Sequence, residues 1–453
     1  MSGRFFGERP RKRSKAMSIE LITLLLFGAL LFFLALGLPL SFVLGGVGVV
    51  GCYFLWGAKG LFIAAAQAYG AMGKFTLLAI PLFVFMAMIL ERAGVAENLY
   101  TMMHRWMGPV RGGLAIGTVI ICAIFAAMSG ISATATVSMG IIALPAMLKR
   151  GYDKILAMGV ISGGGALGIL IPPSVPMIIY ATLTGESIGG LFAGGIFPGI
   201  LLTLIFIFYI GIRCFFQPHM GPALPKDERA TWEEKFISLR AVALPIGIII
   251  MVLGSIYTGV CTATEAAALG VLGAFISAAV YGKLKRELIK EACYRTASLT
   301  AMIVWILIGA YCFTSVYTGT GAHELMEKLL LSIPGGRWAI MGTIQLIFFI
   351  LGCLLDPAGI IMICTPVFVP VIKSLGFDPL WFGVLFIMNM EMGYLTPPFG
   401  FNLFYMKAIA PPGVTMGDIY RSIIPIVGLQ AVALIIVMIF PEIALWFPRS
   451  LTR

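Results

Sequence analysis

Long apolar stretches separated by short polar loops run from residue 18 almost to the end of the chain. Read with a window of about 19 residues, they predict spans at 18–38 and 40–56, an amphipathic connector at 57–74 and a span at 75–93. A polar loop with Glu97, Arg105 and Arg111 follows. One apolar run then reaches Met147, interrupted near its middle by SGISATAT (129–136). A helix over 153–183 is broken by GGGALGILIPP, and a long span covers 188–216. The most polar internal stretch, 217–240, reads as a linker with one short surface helix. Beyond it the order restarts, with spans at 241–257 and 262–282, the amphipathic connector KLKRELIKEACYRT and a span at 297–318. An interrupted run at 338–372 holds LLDPAG, a broken helix at 378–410 holds GYLTPP, and a last span covers 419–447.

At a constant offset of 225, Pro145 meets Pro370, Gly151 meets Gly376 and Asp153 meets Asp378. Gly168, Leu170, Pro172, Pro173 and Tyr180 meet Gly393, Leu395, Pro397, Pro398 and Tyr405. Biased composition alone gives about three such identities in a window of this size. The shared residues cluster at the helix breaks, so the chain divides into a basic extension (1–16), a first repeat (17–216), a linker (217–240) and a second repeat (241–453). An apolar run interrupted at its middle is long enough for two half-helices that enter and leave the membrane on one side. Each half then has five crossings and one re-entrant hairpin, and five being odd, the second copy is inverted. The expected fold is an all-α polytopic membrane protein with inverted repeats and helices broken at mid-membrane, a design of secondary transporters.

Composition supports that class. Hydrophobic residues make up 60% and charged residues 11%, at a mean hydropathy of +1.02, which excludes a water-soluble globular fold. The net charge of +11 then reads as topology and not as a nucleic-acid footprint. If the first span starts outside, 18 of the 31 basic residues face inside, and six of the other 13 lie in the first sixteen residues. Because Met17-Ser18 precedes the first span directly, residues 1–16 are expected to be a start-site artefact or a local exception to the charge bias. The eight cysteines are scattered without a CxxC pair, and His104, His219 and His323 lie in polar connections. No HExxH occurs, so no enzyme activity and no cofactor is expected.

The candidate chemistry lies at the interruptions. In SGISATAT the chain turns inside the membrane, with Gly130 relieving the turn and hydroxyls of Ser129, Ser132 and Thr134 expected to cap the second half-helix. That helix N-terminus suits an anion. In the second hairpin Asp356-Pro357 is a helix-start pairing, and an acidic residue at that depth is a functional candidate. Pro172-Pro173 and Pro397-Pro398 remove N–H donors and release carbonyls near 168–171 and 393–396, oxygen ligands of the kind a hard cation needs. Glu391, one turn before the second break, is either a proton or ion relay or a buried hydrogen-bonded carboxylate, and Glu265 reads as a structural helix-start carboxylate. No Lys or Arg lies at mid-span. An anionic substrate is therefore assigned to helix N-termini, hydroxyls and Asn402, with Thr134, Pro173, Ser174 and Pro398 as the neighbouring candidates.

RGGLA (111–115), SGISATAT, GGGALGILIPPSVPMIIY, GLFAGGIFPG, TATEAAALG, LLDP and EMGYLTPPFGFNLF together resemble the large membrane subunit of tripartite ATP-independent periplasmic (TRAP) transporters, the DctM type. The resemblance covers nearly the whole chain from Met17. It implies an elevator-type carrier in a bacterial inner membrane, driven by sodium and working with a four-span small membrane subunit and a periplasmic binding protein. The implied substrates are organic acids: dicarboxylates, sialic acids or other sugar or keto acids. Carried over, the sodium positions are Ser129, Gly130, Ser132, Gly168, Ile171 and Pro172 in the first half, and Asp356, Gly359, Gly393, Thr396 and Pro397 in the second. DPAG departs from the family in lacking the hydroxyl often found after DP. Two rivals stand beside this reading: a stand-alone sodium–carboxylate symporter of the divalent-anion class, and a non-transporting membrane scaffold.

Overall fold

The structure is a computed structural model that describes residues 18–398 and 400–451; the basic extension 1–16 lies outside the described residues. Helix starts fall where side chains cap them. Ser18, Asp153, Ser187 and Asp378 each accept a backbone N–H of the helix that follows. Thr231, Thr262 and Thr415 form reciprocal capping boxes with Glu234, Glu265 and Asp418, which gives Glu265 the structural role expected of it.

Between these starts the chain is helical, as expected. Among the described residues eight helices are long and apolar enough to cross a membrane, or nine if the pair Ala322–Leu331 and Gly336–Gly352, bent by 119°, counts as one. Six of the eight are among the ten expected crossings and two, Ser132–Lys149 and Pro357–Ser374, are hairpin arms; the other four crossings fall short because Ile19–Ala35 and Leu40–Trp56 are only 17 residues each and the broken helices come in short pieces. Three boundaries differ from expectation. The connector at 57–74 is itself a helix, Ala58–Met72, with apolar side chains spread around it. The connector before the 297–318 span is continuous with that span as the 34-residue helix Arg286–Gly319, because no Pro or Gly interrupts its first turns. The closing run ends at Ile439, and after Phe440-Pro441 a separate helix, Glu442–Leu451, follows.

Helix bounds recur at the 225 offset. Ser132–Lys149 coincides with Pro357–Ser374, and Lys154–Ala166 starts where Pro379–Leu395 starts. Two groups of helices form. Leu40–Trp56, Ala58–Met72, Ala79–Arg92, Ala263–Val280 and Arg286–Gly319 pack on one another as a scaffold. Ile188–Phe216 and Met416–Ile439 pack instead along the hairpins and broken helices, completing a core. Within the scaffold, Leu40–Trp56 lies so close to Arg286–Gly319 that a Cβ on Gly48 would stand 2.6 Å from the Phe313 nitrogen. Such small-residue packing substitutes for a hydrophobic drive inside lipid.

Both interrupted runs return to the end they entered from. At the first, the Gly112 N–H bonds the Gly221 carbonyl at 2.8 Å and the Asp153 N–H bonds the adjacent Met220 carbonyl at 3.0 Å, so the linker closes the mouth of this hairpin. At the second, the Trp338 ring at the entry lies 5.2 Å from Phe377 at the exit. The broken helices run antiparallel. The Tyr180 hydroxyl, late in the first, donates to the Pro379 carbonyl at the start of the second (2.8 Å). Lys154, at the start of the first, pairs with Asp418 just beyond the end of the second at 2.9 Å.

Candidate functional site

Two tips and two breaks meet in the interior. At the first tip Gly113–Ser129 ends on Gly130, whose φ of +63° is left-handed and whose N–H bonds the Ala126 carbonyl. Any Cβ at Gly130 would stand 2.4 Å from the Pro173 carbonyl oxygen. The Gly130 carbonyl accepts the Val175 N–H at 3.4 Å. On the other side of the break, a Cβ at Gly168 would stand 2.9 Å from the Ile131 carbonyl oxygen. Tip and break therefore touch backbone to backbone, which only glycine permits.

The expected hydroxyl cap is absent here. Ile131 is the N-cap of Ser132–Lys149 and makes no side-chain bond, because extended Ile131 puts Ser132 already inside the helix. The Ser132 hydroxyl donates instead to Asn402 Oδ1 at 3.0 Å, and Asn402 Nδ2 donates to the Ser162 carbonyl at 3.2 Å. Asn402 belongs to Phe401–Ile409 of the second repeat and is fully buried. It ties hairpin and broken helix of the first repeat together, so its amide is occupied by the protein in this arrangement. Ser174 caps Val175–Thr184 and its hydroxyl also donates to the Ile169 carbonyl. Ser129, Thr134, Pro172 and Pro173 are buried beside these groups, and Ile171 is half-buried.

The second site is built differently. Asp356 caps Pro357–Ser374, accepting the Gly359 N–H at 3.1 Å, as the Asp-Pro pair predicts. Gly359 faces the scaffold, where its Cβ would meet a methyl of Leu40. Gly393 approaches the other arm, and its Cβ would stand 2.5 Å from the Cα of Gly352. Thr396 ends the helix, its hydroxyl donating to the Met392 carbonyl at 2.7 Å. Pro397 and Pro398 are exposed, whereas their counterparts are buried. Asp356 lies within electrostatic reach of Tyr394, beside this break. Both diproline bonds are cis.

Arms and breaks also exchange between repeats. Pro357–Ser374 packs on Val175–Thr184, and Ser132–Lys149 packs on Phe401–Ile409. The reading of Glu391 as a hydrogen-bonded carboxylate is overturned. It is fully buried, yet neither oxygen has a hydrogen-bond partner among the described residues. Sequence reasoning misses Gly352 and Ser162. The first is a small residue on the entering arm and the second a hydroxyl upstream of the break, weak signals without the pairing of helices.

At the first break the Pro173 carbonyl oxygen faces Gly130 of the tip and the Ile169 carbonyl accepts the Ser174 hydroxyl, while at the second the Thr396 hydroxyl turns back to the Met392 carbonyl. The family described as "Tripartite ATP-independent periplasmic transporter, DctM component" matches residues 27–443. The C4-dicarboxylate TRAP transporter large permease of Vibrio cholerae is 32% identical over 96% of this chain and 98% of its own. That of Pseudomonas aeruginosa is 34% identical over 85% of this chain and 89% of its own. The sialic acid TRAP large permease of Vibrio cholerae is 28% identical over 91% of this chain and 95% of its own. Among solved structures, the YdaH transporter of Alcanivorax borkumensis shares the fold at a TM-score of 0.61 and 15% identity, covering 95% of this chain and 98% of that one. The chain is a multi-pass membrane protein of the TRAP transporters and belongs to their DctM family of large permease subunits.

Proposed function

We propose that this large permease imports an organic acid across a bacterial inner membrane, driven by sodium ions bound where each hairpin tip meets its proline break. The observation that carries the reading is the repetition of that meeting. Both Gly168 and Gly393 are held against hairpin backbone so closely that a Cβ would collide. Duplicated breaks in a helix expose carbonyl dipoles at mid-membrane, which is costly unless they hold something. In the first site the ligands are drawn from Ser129, Gly130, Ser132, Gly168, Ile171 and Pro172. In the second they come from Asp356, Gly359, Gly393, Thr396 and Pro397. The substrate lies between the tips beside Thr134, Pro173, Ser174 and Pro398, with Asn402 released from Ser132 to meet it.

The two halves act as inverted copies, and their hairpins and broken helices move as one core against the scaffold. Antiparallel broken helices and arms exchanged between repeats support that unit. A small membrane subunit and a substrate-binding protein complete the system, as the family's tripartite description implies. Relatives named for C4-dicarboxylates and sialic acid indicate that this scaffold accepts varied acids. The chain carries them without chemical change, acting as a transporter and not as an enzyme.

The test is uptake into vesicles that hold the purified permease and its small subunit, with the binding protein outside. A sodium gradient is expected to drive uptake and a potassium gradient is not. G393L combined with T396A is expected to abolish sodium dependence; unchanged sodium-driven uptake in that variant rejects the site. Uptake without the binding protein would support the stand-alone symporter instead.

A further inference from the structure

A groove lies far from the tips, at the end of the core where the linker crosses. It is enclosed by the first turns of Lys154–Ala166, the last turns of Ile188–Phe216 and the first turns of Met416–Ile439. One part has a volume of about 300 Å³ and holds Arg213, Arg421, Tyr209 and Ser422 above an apolar floor of Leu156 and Ile426. A second part of about 410 Å³ continues from Tyr209 and Arg213 along Ile212 and Phe216 to Gln217. The two parts share Tyr209 and Arg213, so they adjoin there, a basic head beside an open apolar flank.

The charges in this groove are not spent on carboxylates. Arg213 donates to the Tyr209 hydroxyl and lies over its ring at 5.7 Å. Its Nε donates to the Met220 sulfur at 3.2 Å. Arg421 is exposed and makes no ion pair among the described residues. Asp418, one turn from Arg421, is taken by Lys154 at 2.9 Å and by the Thr415 cap, and Asp153 by the Leu156 N–H at 2.9 Å. Two guanidinium groups therefore face the groove with no anion opposite them. The flank beyond them is strongly apolar and open: Ile212 is 58% exposed, Phe216 76% and Ile424 69%. In a membrane protein such a flank lies against acyl chains, and a basic pocket between helices at its head fits an acidic headgroup.

From this geometry we propose that the groove is a binding site for an anionic phospholipid. Its phosphate sits between Arg213 and Arg421, Tyr209 offers its hydroxyl to the headgroup, and one acyl chain follows Ile212 and Phe216. Guanidinium forks match a phosphate's planar pairs of oxygens. All three walls belong to the core and none to the scaffold, so the lipid travels with the part of the protein that moves. This rests on the membrane reading of the chain and, for the lipid's travel, on the proposed movement of the core, and not on which ion drives it.

Native mass spectrometry of the full chain, released from nanodiscs of phosphatidylcholine containing phosphatidylglycerol, tests the proposal. The wild-type chain is expected to retain phosphatidylglycerol in preference to phosphatidylcholine. R421Q, a change at an exposed side chain, is expected to lower that retention about fivefold, and R213Q with R421Q to abolish the preference. R240Q, a basic residue at the neighbouring linker, should leave it intact. Equal retention of both lipids, or wild-type retention in the double variant, overturns the proposal. So does binding of inorganic phosphate by the delipidated chain at lower concentration than the lipid, which would make the groove a soluble-anion site. Should the double variant fail to fold, R421Q alone decides by its retention ratio.

Discussion

The two tip-and-break sites share a sequence ancestor but not a state of closure. In the first, Gly130 and Gly168 hold the tip against the break on both sides, Val175 and Asn402 bond across it, and both prolines are buried. In the second, contact runs through the entering arm at Gly352, the tip faces Leu40 of the scaffold, and both prolines are exposed. The difference originates at repeat positions where the copies no longer match. Ile131 stands opposite Asp356, and Ser132 opposite Pro357. An apolar cap leaves the first tip to be satisfied by its surroundings and draws it inward. An aspartate cap satisfies the helix start at the second tip by itself, and contact with the break there runs through Gly352.

Gly130→Val should erase this contrast most completely. A branched side chain at φ +63° and against the Pro173 carbonyl is expected to cost about 3 kcal/mol or more and to abolish sodium-driven uptake; thermal unfolding in detergent measures the first effect. Asn402→Ala comes next. It strands the Ser132 hydroxyl and is expected to cost about 2 kcal/mol, loosening the first site while leaving the second unchanged. Exchange protection of amides near residue 175 against those near 396 reads that asymmetry. Asp356→Ala should cost about 1 kcal/mol through its lost cap, whereas Asp356→Asn keeps the cap. If the carboxylate also serves the cation, Asp356→Asn retains stability but raises the sodium concentration needed for half-maximal uptake; an unchanged sodium curve would limit Asp356 to capping. The smallest effect is expected for Gly359→Ala. Its methyl meets the end of the flexible Leu40 side chain and, at 3.1 Å, the Asp356 carboxylate, so the loss is within about 1 kcal/mol, and a larger loss would mean that tip and scaffold are locked.

Much of this architecture is legible in the sequence. Asp153 and Asp378 announce helix starts, and Pro172-Pro173 and Pro397-Pro398 announce breaks, because capping and proline geometry act over a few residues and leave local marks. The interrupted runs announce hairpins for the same reason. The failures are equally physical. The hydroxyls of SGISATAT have the chemistry of caps, but one residue of register decides whether Ser132 stands before the helix or inside it. Glu391 has the chemistry of a satisfied carboxylate, yet no described group packed around it bonds to it. The linker's closure of the first hairpin mouth and the groove at Arg213 and Arg421 join residues far apart in the chain.

The membrane class, the duplicated halves and the positions of the breaks follow from the order of residues alone, since hydropathy, periodicity and backbone chemistry are properties of short segments. Which glycine meets which backbone is settled by packing, as is the service of Asn402 of one repeat to the other and the closure of one site while its counterpart stays open. Those outcomes depend on how helices meet across the two halves, and such meetings are properties of pairs that no single segment records.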